Sequence, residues 1–234
     1  STCFIELTSQ IQSLVSDFSV RAAPKANIRE GTVARLAWSI GNPFVATAAL
    51  RTLRLNCLTD AYQELWEASY KPGMATDEWT GGLDYPVRPA LGDVGPEWTP
   101  GTPLRRDSDR RQALVEIDAL VALSLGLTAD ELCTIYRTQF PVLYGYDRNT
   151  YFYDANGRLV PYEVLKVWRS KGDRISEEER TAVHPGSQIA YTYKLPFVTL
   201  DREHDMRVAY AEFERRLAER SPAGVAGREP VTHG

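Results

Sequence analysis

Apolar residues recur at spacings of three and four along much of the chain, which is the pattern of helices that bury one face. In segment 8–21, one side of such a helix carries Ile11, Leu14, Val15 and Phe18. The same periodicity predicts a long, mostly buried helix over 103–126. It also predicts a final helix that begins at Asp201. The residues on its inward face are Met206, Ala209, Tyr210, Phe213 and Leu217. We therefore expect a mainly α-helical fold with short β elements.

A helix start is visible at Asn42, because asparagine followed by proline is typical of an N-cap and the first helical residue. This helix is expected to run to about Cys57. Arg51 and Arg54 lie towards the flank of its apolar stripe, so we expect them to face solvent or a partner. Thr59 is then expected to cap a second helix, which would make a helical hairpin.

Two further helix starts carry capping residues. Thr128 and Glu131 form a capping-box pattern, and the helix they open is expected to end before Pro141. Ser176 is followed by three glutamates, which predicts another short helix.

Non-helical segments are expected at four places. Segment 32–40 is interpreted as a short strand. The run 151–160 predicts a small hairpin with Asn156 and Gly157 in its turn, and the run 191–200 is expected to be extended. Segment 71–102 is rich in proline and glycine, and it predicts a long ordered loop that packs over the helices through its aromatic residues, Trp79 and Trp98.

Composition excludes several classes of protein. The 234 residues are 43% hydrophobic with a net charge of −4, which suits a folded domain without an overall attraction to nucleic acid. No apolar run reaches the roughly 20 residues of a membrane helix, so we expect a cytoplasmic chain with no membrane contact. Cys3, Cys57 and Cys133 are far apart, which favours reduced, buried thiols. The three histidines lack ligand spacing, and we predict no metal site.

Basic residues are concentrated near the N-terminus. Six of them lie between positions 21 and 54, where Glu30 is the one acidic residue. Arg21, Lys25, Asn27 and Arg29 are the candidate DNA-binding residues. Flexible basic side chains neutralise phosphates, and arginine or asparagine can contact base edges. The alternative is an ordinary exposed basic loop that binds no nucleic acid.

Segment 105–111, RRDSDRR, mixes both signs of charge. Three interpretations stay open: a solvated face whose charges pair with one another, a salt-bridged contact with another domain, and a phosphate contact. The first is favoured, because the interleaved acids weaken the field that a phosphate would feel.

No catalytic residue can be assigned. A methyltransferase core needs a glycine-containing strand-to-helix turn for S-adenosylmethionine and an Asn-Pro-Pro-aromatic loop for a flipped adenine, and neither pattern occurs. The nearest match is the run 41–44, GNPF, which lacks the second proline and fits a helix start better.

The chain nevertheless resembles the C-terminal part of large bacterial adenine-specific DNA methyltransferases of restriction-like phage-defence systems, the phage-growth-limitation, BREX and DISARM group. Three stretches carry the resemblance best: 98–132, the turn YFYDANGR at 151–158, and LPFVTLDREHDMRVAYAEF at 195–213. Residues 50–66 also match, whereas 10–40 match by pattern more than by letters. The resemblance implies that 1–41 end a target-recognition region and that 42–220 form a helical C-terminal domain. Residues 221–234 are expected to be a disordered tail.

The resemblance further implies a longer enzyme that uses S-adenosylmethionine, bound by an upstream catalytic domain and not by this chain. The start at Ser1 favours an excised piece, which we expect to be inactive alone. The implied partners are double-stranded DNA and either the catalytic domain or other defence subunits. Two function classes stay open. One is a DNA-binding accessory region; the other is an interaction scaffold without DNA contact, docking through the loop around Trp79 and Trp98 and the helix from Arg105.

Overall fold

A computed structural model of the protein describes residues 2–22, 30–81, 86–184 and 186–220. Within these residues the chain is mainly helical with one two-stranded antiparallel sheet, so the expected fold class is confirmed. The helices are α1 (Thr2–Ile11), α2 (Leu14–Ala22), α3 (Glu30–Val33), α4 (Pro43–Thr47), α5 (Ala49–Asn56), α6 (Gln63–Ser69), α7 (Asp107–Ser124), α8 (Ala129–Gln139), α9 (Pro141–Asn149), α10 (Tyr162–Lys171) and α11 (Arg202–Arg220). The strands are β1 (Thr181–Val183) and β2 (Ala190–Thr192), and short 3-10 turns lie at Asp60–Tyr62, Pro72–Thr76 and Gly172–Arg174. The predicted tail 221–234 lies outside the described residues.

Helix α7 is the centre of the molecule. It contacts α1, α2, α4, α5, α8 and α11, and its residues are buried on nearly every side, as the sequence predicted for a helix over 103–126. The apolar residues Val115, Ile117 and Leu120 are fully buried. Because all sides of α7 face other helices, its polar residues Glu116 and Asp118 are buried as well. The core therefore has to satisfy charged groups internally.

Helix α11 packs along α7, and its predicted inward face is confirmed, with Met206, Ala209 and Phe213 fully buried. Asp201 caps the helix, since its carboxylate accepts a hydrogen bond from the His204 N–H at 3.1 Å.

The amphipathic helix predicted over 8–21 is two helices, because the chain turns at Gln12 and Ser13. The Ser13 hydroxyl donates to the Gln10 carbonyl at 2.7 Å and accepts from the Ser16 N–H at 3.2 Å. The turn rotates Ile11 away from the core, so the prediction of an inward Ile11 is wrong and its side chain is 52% exposed.

Asn42 is the N-cap that its sequence predicted, and its side-chain oxygen accepts from the Phe44 N–H at 2.9 Å. The following segment forms α4 and α5, with Ala48 between them. The prediction that Arg51 and Arg54 face solvent or a partner is wrong, because both side chains are buried. Arg54 donates to the carbonyls of Leu91 and Thr102, and so holds the long loop against α5.

Two local predictions before and after this segment fail. Segment 32–40 contains the end of α3 and a loop, and no strand of the described chain lies beside it to pair with. Thr59 makes no side-chain cap, and a 3-10 turn precedes α6. By contrast, the Thr128 capping box is present with both reciprocal hydrogen bonds, and α8 ends before Pro141.

The loop 71–102 packs over the helices wherever it is described, as predicted; residues 82–85 lie outside the described chain. Tryptophan N–H groups anchor it. Trp79 donates to the Pro89 carbonyl at 2.9 Å, and Trp98 donates to the Cys57 carbonyl at 3.0 Å. Trp79 is buried, which leaves little of its ring for a partner.

A second apolar cluster lies in residues 150–200, which we call the small unit. It is built from Val160, Val164, Leu165, Ile175, Tyr193 and Phe197. The predicted turn at Asn156 and Gly157 is present, with Gly157 at φ 78°, but the pairing around it is limited to single bridges from Tyr153 to Leu159 and to Val198. The predicted helix at Ser176 is wrong: only one turn forms, because β1 begins at Thr181.

The turn of the small unit holds the start of α7. The Ser108 N–H donates to the Gly157 carbonyl at 3.0 Å, and the Leu159 N–H donates to Asp107 at 2.9 Å. A Cβ atom at Gly157 would lie 2.2 Å from the Ser108 hydroxyl oxygen. This position therefore requires glycine for both its φ angle and its close contact.

Candidate nucleic-acid interface

Of the four predicted DNA-binding residues, the structure describes only Arg21, since Lys25, Asn27 and Arg29 lie outside the described residues. Arg21 is near the end of α2, and its Nε and Nη2 atoms each donate to Asp17 at 3.0 Å. Its guanidinium carbon also lies 4.6 Å from the Phe140 ring centroid. Arg21 is half-exposed, but a carboxylate already balances its charge.

The mixed-charge segment 105–111 is not a self-contained solvated face. Arg111 is buried and pairs with Asp205 of α11 at 2.6 Å, and Arg110 donates to the carbonyls of Leu55 and Leu104. Arg106 does pair within the segment, with Asp109 at 2.7 Å. Of the three interpretations, the salt-bridged contact describes the segment best, but the elements that it contacts belong to this chain.

Elsewhere in the helical core, several buried arginines are paired with carboxylates. Arg51 bonds Glu116 and Asp77, and Arg202 bonds Asp147 at 2.6 Å. On α11, exposed arginines pair as well, for example Arg215 with Glu212 and Glu219.

Most cations between positions 148 and 194, in contrast, have no carboxylate partner. Six cations there have no carboxylate within salt-bridge distance among the described residues: Arg148, Arg158, Lys166, Arg169, Arg174 and Lys194. Other cations of the described chain share this property, but they are spread over the rest of the fold: Arg35, Arg54, Lys71, Arg105 and Arg110. The free positive charge is therefore concentrated in and beside the small unit.

The densest part of this region is the exposed surface of α9 and α10, which includes both flanks of α9. We call it the α9–α10 face and define it by Tyr146, Arg148, Tyr162, Lys166 and Arg169. The two helices meet where the Arg169 Nη2 atom donates to the Asn149 carbonyl at 2.6 Å. Arg169 also lies 5.6 Å from the Phe152 centroid, while Arg148 lies 5.1 Å from that of Tyr144.

Local sequence explains why these side chains are exposed. On α10, Val164 and Leu165 are buried in the second cluster, and Trp168 packs edge-on against Phe152 and Phe197. Residues 162, 166 and 169 are spaced by four and three, so they lie together on the opposite side of the helix. Glu163 lies at the edge of this exposed side, so the face is predominantly but not solely basic.

Helix α9 extends from the predicted basic region to this face. Arg21 contacts Phe140, the residue directly before α9, and Arg148 lies near the other end of the helix. Phe140 and Arg148 are eight positions apart, which corresponds to about 12 Å along the helix axis. Val142 and Tyr146 are exposed on the other flank of α9, at 65% and 45%. The structure thus connects Arg21 with cations that the sequence analysis did not select.

Asp147 lies at the centre of a buried polar network. Tyr136 and Arg202 both donate to the same Asp147 oxygen, at 2.9 and 2.6 Å, beside an open cavity of about 220 Å³. Burial raises the pKa of the neighbouring Asp118 to about 7, although Arg202 and the Leu14 N–H act in the opposite direction. The Leu14 N–H bond to Asp118, at 2.7 Å, fixes α2 on α7.

No reactive group stands out among the described residues. Cys57 and Cys133 are buried as predicted, and burial raises the pKa of Cys57 to about 11, which disfavours a thiolate. Cys3 is exposed, so the prediction of a buried thiol is wrong there. No three His, Cys, Asp or Glu side chains of the described chain lie close enough to hold a metal ion. A larger open cleft of about 890 Å³ lies between α4, the 72–76 turn and α11.

Comparisons with protein-family models, with curated proteins and with solved structures found no match to this chain. No helix of the described residues has both the length and the low polarity that crossing a bilayer requires. The candidate interface therefore has to be judged on its own geometry. Sequence reasoning missed Tyr162, Lys166 and Arg169, although their spacing and the preceding Pro161, the residue directly before α10, were visible signals of a helix with a basic face.

Proposed function

We propose that this chain is a non-catalytic helical region that contacts duplex DNA through the α9–α10 face. One observation carries the proposal. In a protein with a net charge of −4, three cations without carboxylate partners and two exposed tyrosines are gathered on the exposed surface of two adjoining helices. Exposed cations clustered on one surface can bind phosphates even where the net charge of the protein is negative.

The larger identity follows from the resemblance noted in the sequence. We propose that the chain belongs to an adenine-specific DNA methyltransferase of a phage-defence system, whose upstream domain binds S-adenosylmethionine and performs the reaction. In that protein, the function of this chain is to bind DNA or to dock onto the catalytic domain. Methyl transfer to DNA by the purified 234-residue chain would contradict this assignment.

DNA contact is tested by fluorescence anisotropy with a labelled duplex at several salt concentrations. We expect weak binding, with a dissociation constant of roughly 10⁻⁴ to 10⁻⁶ M at physiological salt. The variant Arg148→Gln/Lys166→Gln/Arg169→Gln removes three free cations. If each neutralises one phosphate, the slope of log K against log salt falls in magnitude by about 3, because each contact contributes roughly 0.9.

A matched control removes the same charge elsewhere. Arg137, Arg207 and Arg215 are exposed, but each is paired with a carboxylate. Their joint replacement by glutamine should leave the salt slope unchanged. Equal loss of binding in both triple variants would instead indicate a general charge effect and contradict the assignment to this face. The variant Arg21→Gln tests whether the surface extends to the other end of α9.

A second function is favoured by a different observation, the exposed apolar side of α1. Phe4 and Ile11 are seven residues apart on one side of this helix and are 60% and 52% exposed. Exposed apolar side chains on one side of a helix can contribute to a docking surface. If the chain is a scaffold without DNA contact, Phe4→Ser/Ile11→Ser should abolish co-purification with the catalytic domain, while the wild-type chain should show no salt-dependent DNA binding.

A further inference from the structure

Three tyrosines of the described chain are exposed: the two of the α9–α10 face and Tyr62. Tyr162 is 65% exposed and Tyr146 is 45% exposed. Neither side-chain hydroxyl makes a hydrogen bond to another described residue, whereas those of Tyr70, Tyr136 and Tyr191 do. Tyr162 therefore stabilises the fold little and presents most of its surface to solvent.

The cations beside Tyr162 lie on the same stripe of α10. Successive residues of a helix are rotated by about 100°, so Tyr162, Lys166 and Arg169 fall within roughly 60° of one another around the axis. Lys166 is about 6 Å from Tyr162 along the axis, and Arg169 is about 10 Å away. One aromatic ring is thus followed by two positive charges along a single line.

Tyr146 reaches the same region from α9. It is three residues before Asn149, whose carbonyl accepts the bond from Arg169, so it lies about 5 Å along α9 from the junction of the two helices. Tyr151 packs against it with ring centroids 5.3 Å apart, which supports the ring from one side. Each of the two helices that meet at Arg169 therefore carries one exposed tyrosine.

We infer that the α9–α10 face binds unpaired bases of DNA, with Tyr162 and Tyr146 stacking on the bases and Lys166 and Arg169 contacting the adjoining phosphates. The inference rests on the proposed function and specifies the form of DNA that this face takes. Stacking on exposed aromatic residues beside cations is how proteins bind single strands without sequence readout. In a blunt duplex the base faces are already stacked on one another, so an exposed tyrosine gains nothing unless the duplex is opened.

The test compares three labelled ligands of the same sequence: a blunt duplex, a single strand, and a duplex with a single-stranded overhang. We expect the full chain to bind the single strand and the overhang more tightly than the blunt duplex. Tyr162→Ala should weaken binding of the single strand by about 5- to 150-fold, the range for one stacked base, and leave the blunt duplex unaffected. Tyr162→Phe keeps the ring and should bind like the wild type.

Tyr62 offers a matched control. It is 44% exposed, but its neighbours Asp60 and Glu64 are acidic, and Tyr62→Ala should leave all three affinities unchanged. A 2-aminopurine base in the single strand gives a second readout, because its fluorescence falls when it stacks. That decrease should disappear in Tyr162→Ala and persist in Tyr162→Phe.

Each outcome separates the two proposals. If the wild type binds none of the ligands, the proposed function fails and this inference fails with it. If it binds all three with equal affinity and salt dependence, or if Tyr162→Ala weakens all three equally, DNA contact stands and the stacking inference is overturned. Because Tyr162 is exposed, an unchanged melting temperature of Tyr162→Ala confirms that any lost binding is not caused by unfolding.

Discussion

Around α7, most buried arginines have carboxylate partners, whereas between α9 and β2 most cations are exposed and have none. Arg51 has no solvent-accessible side-chain surface and is bonded to Glu116 and Asp77. Lys166 and Arg148, in contrast, are exposed and have no carboxylate partner in the described chain. A buried charge needs a partner to offset its desolvation, so the first arrangement is required by folding. Exposed free cations contribute little to stability, and this contrast is why we assign contact with DNA to the second region.

The largest expected effect is at the buried pair. Arg51→Met leaves Glu116 charged and buried without its partner, although Thr80 and Gln112 still donate to it. We expect the free energy of unfolding to fall by about 3–5 kcal/mol, measured by urea denaturation. The exposed pair gives the control: Arg215→Met should cost about 0.2–1 kcal/mol. Similar losses in the two variants would remove the distinction between buried and exposed charges.

A second variant tests the buried carboxylate beside Arg202. The folded-state pKa of Asp118, about 7, is above its ordinary value of 3.8, so the native state holds the proton more tightly than the unfolded chain. Stability should therefore decrease as pH rises from about 4 to about 7. Asp118→Asn keeps the acceptor for the Leu14 N–H and should reduce this decrease, raising stability at pH 8 by about 1–3 kcal/mol. Parallel pH profiles for the variant and the wild type would contradict the assignment to Asp118.

The joint between the two regions is tested at Gly157. Gly157→Ala places a Cβ atom against the Ser108 hydroxyl at a positive φ angle, and we expect a loss of about 1–2 kcal/mol. Hydrogen exchange should increase at the start of α7 and in the turn 154–158. Gly145 in α9 has open space at its Cβ position, so Gly145→Ala should be neutral or slightly stabilising. Equal behaviour of the two variants would show that the turn does not hold α7.

The smallest effect is expected on the proposed DNA-contacting face. Arg148→Gln/Lys166→Gln/Arg169→Gln should change the free energy of unfolding by less than about 0.5 kcal/mol per residue, since exposed substitutions of this kind rarely do more. Thermal unfolding followed by circular dichroism measures this. A loss of several kcal/mol would mean that these cations stabilise the fold, and it would contradict their proposed role in DNA contact.

Sequence reasoning performed best where the deciding interactions are local. The Asn42 cap, the Thr128 capping box, the turn at Gly157 and the inward face of α11 depend on residues a few positions apart, and the structure contains all of them. It performed worst where a partner far along the chain decides. Arg51 and Arg54 were predicted to be exposed, because most of the groups that accept their hydrogen bonds lie 26 to 65 residues away along the chain. Arg51 donates to two carboxylates, and Arg54 donates to the backbone carbonyls of Leu91 and Thr102.

The candidate interface shows the same division. The N-terminal cluster of basic residues was found from composition, yet Arg21, its described member, is paired with Asp17. Whether a cation is free depends on which acids the fold brings near it, and spacing along the chain does not reveal that. Only for Tyr162, Lys166 and Arg169 did the sequence contain a signal that could have identified them, because their spacing places them on one side of a helix.

By itself, the sequence determined the helical class, the helix caps and the turns, because these follow from backbone hydrogen bonding and apolar periodicity over short distances. Only the tertiary structure decided which arginines are buried against carboxylates and which remain free, and it placed α10 beside α9 through the bond from Arg169 to Asn149. The physical reason is that desolvation and ion pairing depend on distances in space, and the path of the chain sets those distances only when the whole core has formed.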